Sequence, residues 1–450
     1  MAEFKRPTNE AEFNANFAPI EPVMNRTEAY YESSRCLFCF DAPCVKACPT
    51  HIDIPLFIRQ INTGNVIGAA ETIYESNYFG FSCGKVCPTE VLCEGACVYN
   101  LQNVKPIEIG RLQSNACDEA MKKDVKLFKA ERFNGKKIGV IGAGPAGISA
   151  ACELRRMGYY VDVFEKKEKP SGLNVHGIAP YKITNTEALD EINYLQKQLG
   201  FEIFYNKDMN NEADLNFIDE NYDAVFIGTG LGETTKLGIP GEDKDNVFGA
   251  TEFIEILRKD HADTKVGDIV VVLGGGNTSM DAASETARMG AKKVYLAYRR
   301  GKHSMPAYEF EYDLAKNVGV EGMFNIAPVE IMGNGKVTGV KFIRTEENES
   351  VLKNINGSEF ILECDMVIKA TGQSKMREML SKIKDIELDE KGRLKVDISN
   401  YQTGNKKYFA SGDVISGGQE VVNAVADAKK AAWGIHDFLK EQLNTVFKTM

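Results

Sequence analysis

The chain has 450 residues, 43% of them apolar and 26% charged, with 54 lysines and arginines against 64 aspartates and glutamates for a formal charge of −10. That length predicts two or three domains with separate cores, and the acidic balance excludes a nucleic-acid partner. No apolar run approaches the ~18 residues that cross a bilayer. The start Met1-Ala2-Glu3-Phe4-Lys5-Arg6-Pro7 has no apolar stretch of the signal-peptide kind, so the chain is expected in the cytoplasm and away from the membrane.

Residues 1–131 are predicted to form a helical domain, with short amphipathic helices near 55–62 and 69–75. Eight of the eleven cysteines lie here: Cys36-x2-Cys39-x4-Cys44-x3-Cys48-Pro49, then Cys83-x3-Cys87-Pro88-x4-Cys93-x3-Cys97. In a reducing compartment, clustered cysteines read as metal ligands in preference to disulfides. Two four-cysteine groups, each with a Cys-Pro pair, are the pattern of two 4Fe-4S clusters. Structural zinc is the competing reading of Cys-x2-Cys. The Cys-Pro pairs and a neighbouring redox unit count against it. Cys117, Cys152 and Cys364 stand alone and are expected to be small buried apolar residues.

At Lys136 the pattern changes. A strand at 138–141 leads into Gly142-Ala143-Gly144-Pro145-Ala146-Gly147 and a helix over 148–157. The first glycine permits the tight turn, the second lets the backbone approach a pyrophosphate, and the third lets helix and strand pack closely. A second strand, 161–164, ends at Glu165, placed to bind ribose hydroxyls; the bland alternative is a plain turn and a surface glutamate. Ser171-Gly172-Leu173 resembles the Gly-Gly-Leu element of two-dinucleotide flavoproteins. Ile227-Gly228-Thr229-Gly230 and Ala370-Thr371-Gly372 resemble their chain-crossing strands, and Ser411-Gly412-Asp413-Val414 resembles their C-terminal flavin motif. A helix from 420 to 439 follows, its positive end available to a reduced flavin. The unit is therefore read as an FAD domain in two parts, 132–243 and 363–450. Its candidate residues are Gly142, Gly144, Pro145, Ala146, Gly147, Glu165, Gly172, Leu173, Lys182, Gly230, Gly372, Gly412, Asp413 and Val421.

Between them, 244–362 repeats the strand–turn–helix device: strand 269–273, then Gly274-Gly275-Gly276-Asn277-Thr278-Ser279, a helix to 289 and a strand 294–298. Serine stands where a small packing glycine or alanine is usual. Arg299-Arg300 follows the strand, where NAD sites carry an acid, and an arginine pair suits the 2′-phosphate of NADP. A solvated basic turn is the alternative, and NAD stays open. The nicotinamide set is Gly274, Gly276, Asn277, Thr278, Arg299 and Arg300. No catalytic side chain is assigned, because hydride transfer between stacked rings needs orientation more than acid–base chemistry. The fold class is an α-helical iron–sulfur domain followed by α/β two-dinucleotide-binding, Rossmann-like domains.

From Arg35 to the C-terminal helix the chain resembles the electron-input subunit of bacterial dihydropyrimidine dehydrogenase, and more distantly the small subunit of glutamate synthase. The resemblance is carried by Arg35-Cys36-Leu37-x-Cys39-x-Asp41-Ala42-Pro43-Cys44, Gly68-Ala69-Ala70, Val86-Cys87-Pro88-Thr89-Glu90-x-Leu92-Cys93 and 106–113, Pro-Ile-Glu-Ile-Gly-Arg-Leu-Gln. It implies that one cluster uses Cys36, Cys39, Cys44 and Cys97. The other uses Cys48, Cys87, Cys93 and the side-chain oxygen of Gln113, with Cys83 a bystander. Glutamate synthase small subunits and related bifurcating NADPH–ferredoxin subunits carry glutamate at that position, whereas dihydropyrimidine dehydrogenases carry glutamine. The resemblance further implies that electrons pass from NADPH or NADH through FAD and two clusters to an FMN-containing catalytic subunit. That hetero-oligomeric partner, whose barrel would follow where this chain ends, reduces uracil or thymine. A nucleotide-sensing scaffold with a zinc-stapled N-terminus is the reading from a different class.

Overall fold

The computed structural model describes residues 4–348 and 351–449. It divides into two compact units, one of 21–175, 182–231 and 375 onward, the other of residues up to 20, 176–181 and 232–374.

The first unit begins with short helices, among them Arg26–Ser34, Ile54–Asn62, Val66–Ser76, Gly80–Val86 and Ile109–Lys122. Ile54–Asn62 shows why they form. Asp53 caps its N-terminus by accepting from the Leu56 N–H, Pro55 occupies the first turn, and Ile54, Phe57, Ile58 and Ile61 bury one face. The Gly80–Val86 and Ile109–Lys122 helices cross at glycines. A Cβ on Gly84 would stand 2.7 Å from the Gly110 carbonyl oxygen, and one on Gly110 would stand 2.8 Å from that of Gly84. Only bare backbone allows this approach, and it sets the Cys83–Cys87 turn beside Gln113.

The same unit holds a five-stranded parallel sheet in the order Tyr408–Ala410, Ala224–Ile227, Lys137–Ile141, Tyr160–Phe164, Glu202–Phe204. Its inner strands, Ala224–Ile227 and Lys137–Ile141, are mostly apolar and buried, as expected where helices cover both faces. The 408–410 strand returns from the C-terminus, so the unit is discontinuous. The Pro145–Arg156 helix starts three residues before the predicted 148, since Gly144 already serves as cap and Pro145 suits the first turn. The long helix Val421–Thr449 packs on it.

The second unit has its own parallel sheet, ordered Val247–Gly249, Met366–Lys369, Ile269–Leu273, Lys293–Tyr298, Val320–Phe324. An antiparallel sheet is built around Gly339–Asn348. Three edges differ from the sequence reading. Met366–Lys369, expected in the flavin domain after 363, pairs with Ile269–Leu273, all four of its residues being buried. The Thr234–Gln373 bridge and the Gly232 N–H to Ser374 carbonyl bond, 2.9 Å, tie 232–243 to this unit as well. Phe13 and Phe17, expected in the helical domain, lie in its core with Leu257 and Val272. Cys117, Cys152 and Cys364 are buried. Among the described residues no helix is long and apolar enough to cross a membrane.

Candidate functional site: two cysteine-lined cavities and two dinucleotide turns

The helical region encloses two cavities. Cys36, Cys39, Cys44 and Cys97 line one, among Ile54, Ile58 and Ile107. Cys48, Cys83, Cys87, Cys93 and Gln113 line the other, with Asn77 and Val422. Grouping by spacing is thus corrected at two positions. Cys97 joins the first run and Cys48 joins the second, because the fold carries the 97–98 segment back over the 36–44 loop. Cys83 is buried and lines the second cavity beside Gln113.

The residues present fit a polynuclear group. Four cysteines line the first hollow, and four cysteines with Gln113 line the second, a sulfur-rich donor set of the kind that holds a cluster. Asn77 is fully buried. Its Oδ1 accepts from the Phe79 N–H at 2.9 Å, while Nδ2 has no partner among the described residues. An unmet buried donor costs roughly 1–3 kcal/mol, so a sulfur-rich acceptor in the cavity would relieve it. Gln113 donates through Nε2 to the Gly80 carbonyl at 2.7 Å, which leaves Oε1 as its acceptor.

Burial pushes the Cys44 thiol up to about 12 and raises that of Cys93. A hydrogen bond with the Cys83 thiol, then burial, raises Cys87. These thiols keep their protons until a cation displaces them, so loading the cavities releases protons.

A carboxylate from the part of the unit that carries the parallel sheet braces the second cavity. Glu191, fully buried on the Asn185–Leu199 helix, accepts from the N–H groups of Phe81 (2.6 Å) and Ser82 (3.0 Å), the Ser82 hydroxyl (2.5 Å) and Tyr74 (3.2 Å). It thereby satisfies the open end of the Gly80–Val86 helix. Burial nonetheless raises its pKa from 4.5 to about 7.

At the first dinucleotide turn, Gly142 adopts φ +99° with its missing Cβ 2.6 Å from the Gly228 oxygen, and a Cβ on Gly147 would stand 1.8 Å from the Gly142 oxygen. Gly144 caps the helix with no side-chain bond, and the nearest atom to a Cβ there is 3.8 Å away. The helix N-terminus therefore presents bare N–H groups to an open surface, a cradle for phosphate. Glu165 accepts from the N–H groups of Ala143 and Lys167, both at 2.8 Å. Gly172 and Gly412 close on this turn: a Cβ on either would stand 3.0 Å from Gly144 Cα or Ala146 Cβ respectively. Asp413 accepts from the Gln419 N–H at 2.9 Å, and burial raises its pKa. The hydroxyls of Thr229 and Ser411 are buried without partners among the described residues, as befits a polar ligand at this sheet edge. Gly230 has φ +67° and open surroundings. Val421 opens the long helix, Leu173 starts a one-turn helix, and Lys182 stands where the chain re-enters this unit. Gly372 belongs to the other unit, where its carbonyl accepts from the Thr235 N–H at 2.8 Å.

In the second unit Gly276 likewise caps a helix, Asn277–Arg288, without a side-chain bond, leaving Asn277 and Thr278 in its first turn. Asn277 Oδ1 accepts from the Tyr308 N–H at 3.0 Å. Ser279 fits the packing position because its hydroxyl turns back to the Gly276 carbonyl at 2.5 Å. The arginine pair is split: Arg300 is ion-paired with Glu347, which also accepts from Ser304, whereas Arg299 is exposed.

With this geometry in view, residues 13–125 match the family described as dihydropyrimidine dehydrogenase domain II, 4Fe-4S cluster, and 136–428 the pyridine nucleotide-disulphide oxidoreductase family. The glutamate synthase [NADPH] small chain of Escherichia coli is 35% identical, covering 94% of both chains. The NAD-dependent dihydropyrimidine dehydrogenase subunit PreT of the same organism is 33% identical, covering 94% of this chain and 97% of PreT. The chain belongs to this family of flavin and iron–sulfur oxidoreductases.

Among solved structures, Mycobacterium tuberculosis FprA in complex with NADPH covers 69% of this member at a TM-score of 0.59 and 18% identity, a likeness of fold. As a family member the chain is an NAD(P)H-linked flavin and iron–sulfur oxidoreductase. Sequence reasoning missed Asn77, Glu191, Val422 and Glu347. Each is a single side chain brought to its site by tertiary packing, with no local pattern to announce it.

Proposed function

We propose that this protein is the electron-input subunit of a dihydropyrimidine dehydrogenase. It takes a hydride from NAD(P)H and passes electrons singly to an FMN-containing partner that reduces uracil or thymine. The observation that carries the reading is the donor set of the second cavity, in which Gln113, a neutral oxygen donor, accompanies cysteine thiols. FAD and two 4Fe-4S clusters would supply the step from two-electron to one-electron transfer.

In this reading Cys36, Cys39, Cys44 and Cys97 hold one cluster, and Cys48, Cys87, Cys93 and Gln113 hold the other. The Gly142–Gly147 turn, Gly172 and the Gly412–Asp413 turn bind FAD pyrophosphate and ribityl groups, and Glu165 the adenosine ribose. The Gly274–Thr278 turn binds the nicotinamide dinucleotide. Arg299 alone meets a 2′-phosphate, since Glu347 already neutralises Arg300 and would repel the phosphate. Losing one charge-assisted hydrogen bond of about 1.5 kcal/mol, Arg299→Ala should weaken kcat/KM for NADPH about tenfold and leave NADH unchanged; equal losses would remove the arginine from nucleotide choice.

A second reading, the small subunit of a glutamate synthase, is favoured by the 35% identity to that chain. Reconstitution separates the two. With a dihydropyrimidine dehydrogenase catalytic subunit, NAD(P)H oxidation should become dependent on uracil or thymine. Dependence on glutamine and 2-oxoglutarate with a glutamate synthase large chain, and none on pyrimidine, would replace the first reading by the second.

A further inference from the structure

The second cavity has more donors than a cluster has irons to cap. Cys48, Cys83, Cys87, Cys93 and Gln113 all line it, whereas a cubane presents four iron corners. Cys83 and Cys87 are one helical turn apart, joined by the Cys87 N–H to Cys83 carbonyl bond at 3.1 Å, so their side chains share a face. Both line the same cavity. Cys83 is 2% exposed, which shields it from oxidants and other thiols. Its helix is pinned at one end by Glu191. The same helix supplies, through the Gly80 carbonyl, the anchor of Gln113 Nε2. One rigid turn thus presents a sulfur donor to the cavity and orients the amide donor on the facing helix.

We propose that Cys83 is a reserve ligand of the second cavity, able to take the corner held by Gln113. The inference rests on the reading that this cavity holds a 4Fe-4S cluster. In the exchange, the iron–oxygen bond to the Gln113 amide breaks and an iron–sulfur bond to Cys83 forms. The Cys83 proton leaves to solvent, and no electron is transferred. The cluster with its ligands gains one negative charge, which lowers its potential. Gln113 and Cys83 then define two ligation states of one site, a neutral-donor state of higher potential and an all-thiolate state of lower potential.

The test compares iron content, flavin content and the EPR-monitored midpoint of each cluster in the full-length holoprotein and its variants. Gln113→Leu keeps the side-chain volume but cannot ligate; Gln113→Ala is carried in parallel so that a packing defect in one does not decide the result. Flavin content reports the fold. Both variants should keep the full iron complement, with one cluster shifted to lower potential. Cys83→Ser should keep both iron and midpoints. The double variant Gln113→Leu/Cys83→Ser should lose half its iron and retain its flavin. Loss of half the iron in both single Gln113 variants, or full iron in the double variant, would overturn the exchange while leaving the cluster reading intact. A wild-type protein without iron would remove the cluster reading, and the exchange with it.

Discussion

The two cavities are built from the same side chain in contrasting surroundings. Around the outer one, Leu37 and Phe40 flank Cys36 and Cys39 and are exposed, Phe40 fully, and four cysteines make up its donor set. The inner one is lined by the buried Cys83, Gln113 and Asn77 and by Val422, from the first turn of the helix that packs on the Pro145–Arg156 helix. The difference separates two tasks that spacing alone treats as equivalent. Under the proposed function the inner site needs a tuned potential, which a neutral ligand and an amide donor provide. The outer site faces solvent and needs an accessible path to a partner.

The largest expected effect breaks the pair apart. Cys44→Ser should remove about half the iron and leave flavin content and NAD(P)H-dependent flavin bleaching unchanged. Loss of flavin as well would mean that the cavities are one cooperative structure. Next comes the brace on the inner side. The Glu191 pKa is raised from 4.5 to about 7 in the folded protein, so the folded state holds a proton that the unfolded chain has released. Stability is then full below 4.5 and falls as pH rises to about 7, by roughly 3 kcal/mol over the window. Glu191→Gln should flatten that slope in denaturation measured across the window, with the slope left unchanged in Cys44→Ser. A slope unaffected by Glu191→Gln would assign the pH dependence elsewhere. The smallest effect sharpens the contrast most. Asn77→Leu should lower the midpoint of one cluster, by removing the one amide donor that would reach a cluster sulfur, at unchanged iron content. Two unmoved midpoints would show that Nδ2 does not address the cluster.

How much of this was legible depended on the range of the forces. The parallel strands around Ile138 and Val270 read directly, being short apolar runs between glycine turns, and Gly142, Gly147 and Gly274 had no other residue type available. The domain edges were less legible, because Met-Val-Ile-Lys at 366–369 is an equally good central strand for either sheet and its partner, Val270, is remote in sequence. The placing of Cys97 with the first run depends on the fold carrying the 97–98 segment back over the 36–44 loop, which spacing does not encode. Arg299-Arg300 looked like a symmetric pair until Glu347, forty-seven residues on, took one of them.

The central claim is that the two cavities hold two clusters alongside one flavin. Iron, acid-labile sulfide and FAD, measured together on the anaerobically purified holoprotein, test it most directly. The account predicts about eight irons and about eight sulfides per flavin. One zinc without iron, or about four irons per flavin in fully loaded protein, would contradict it.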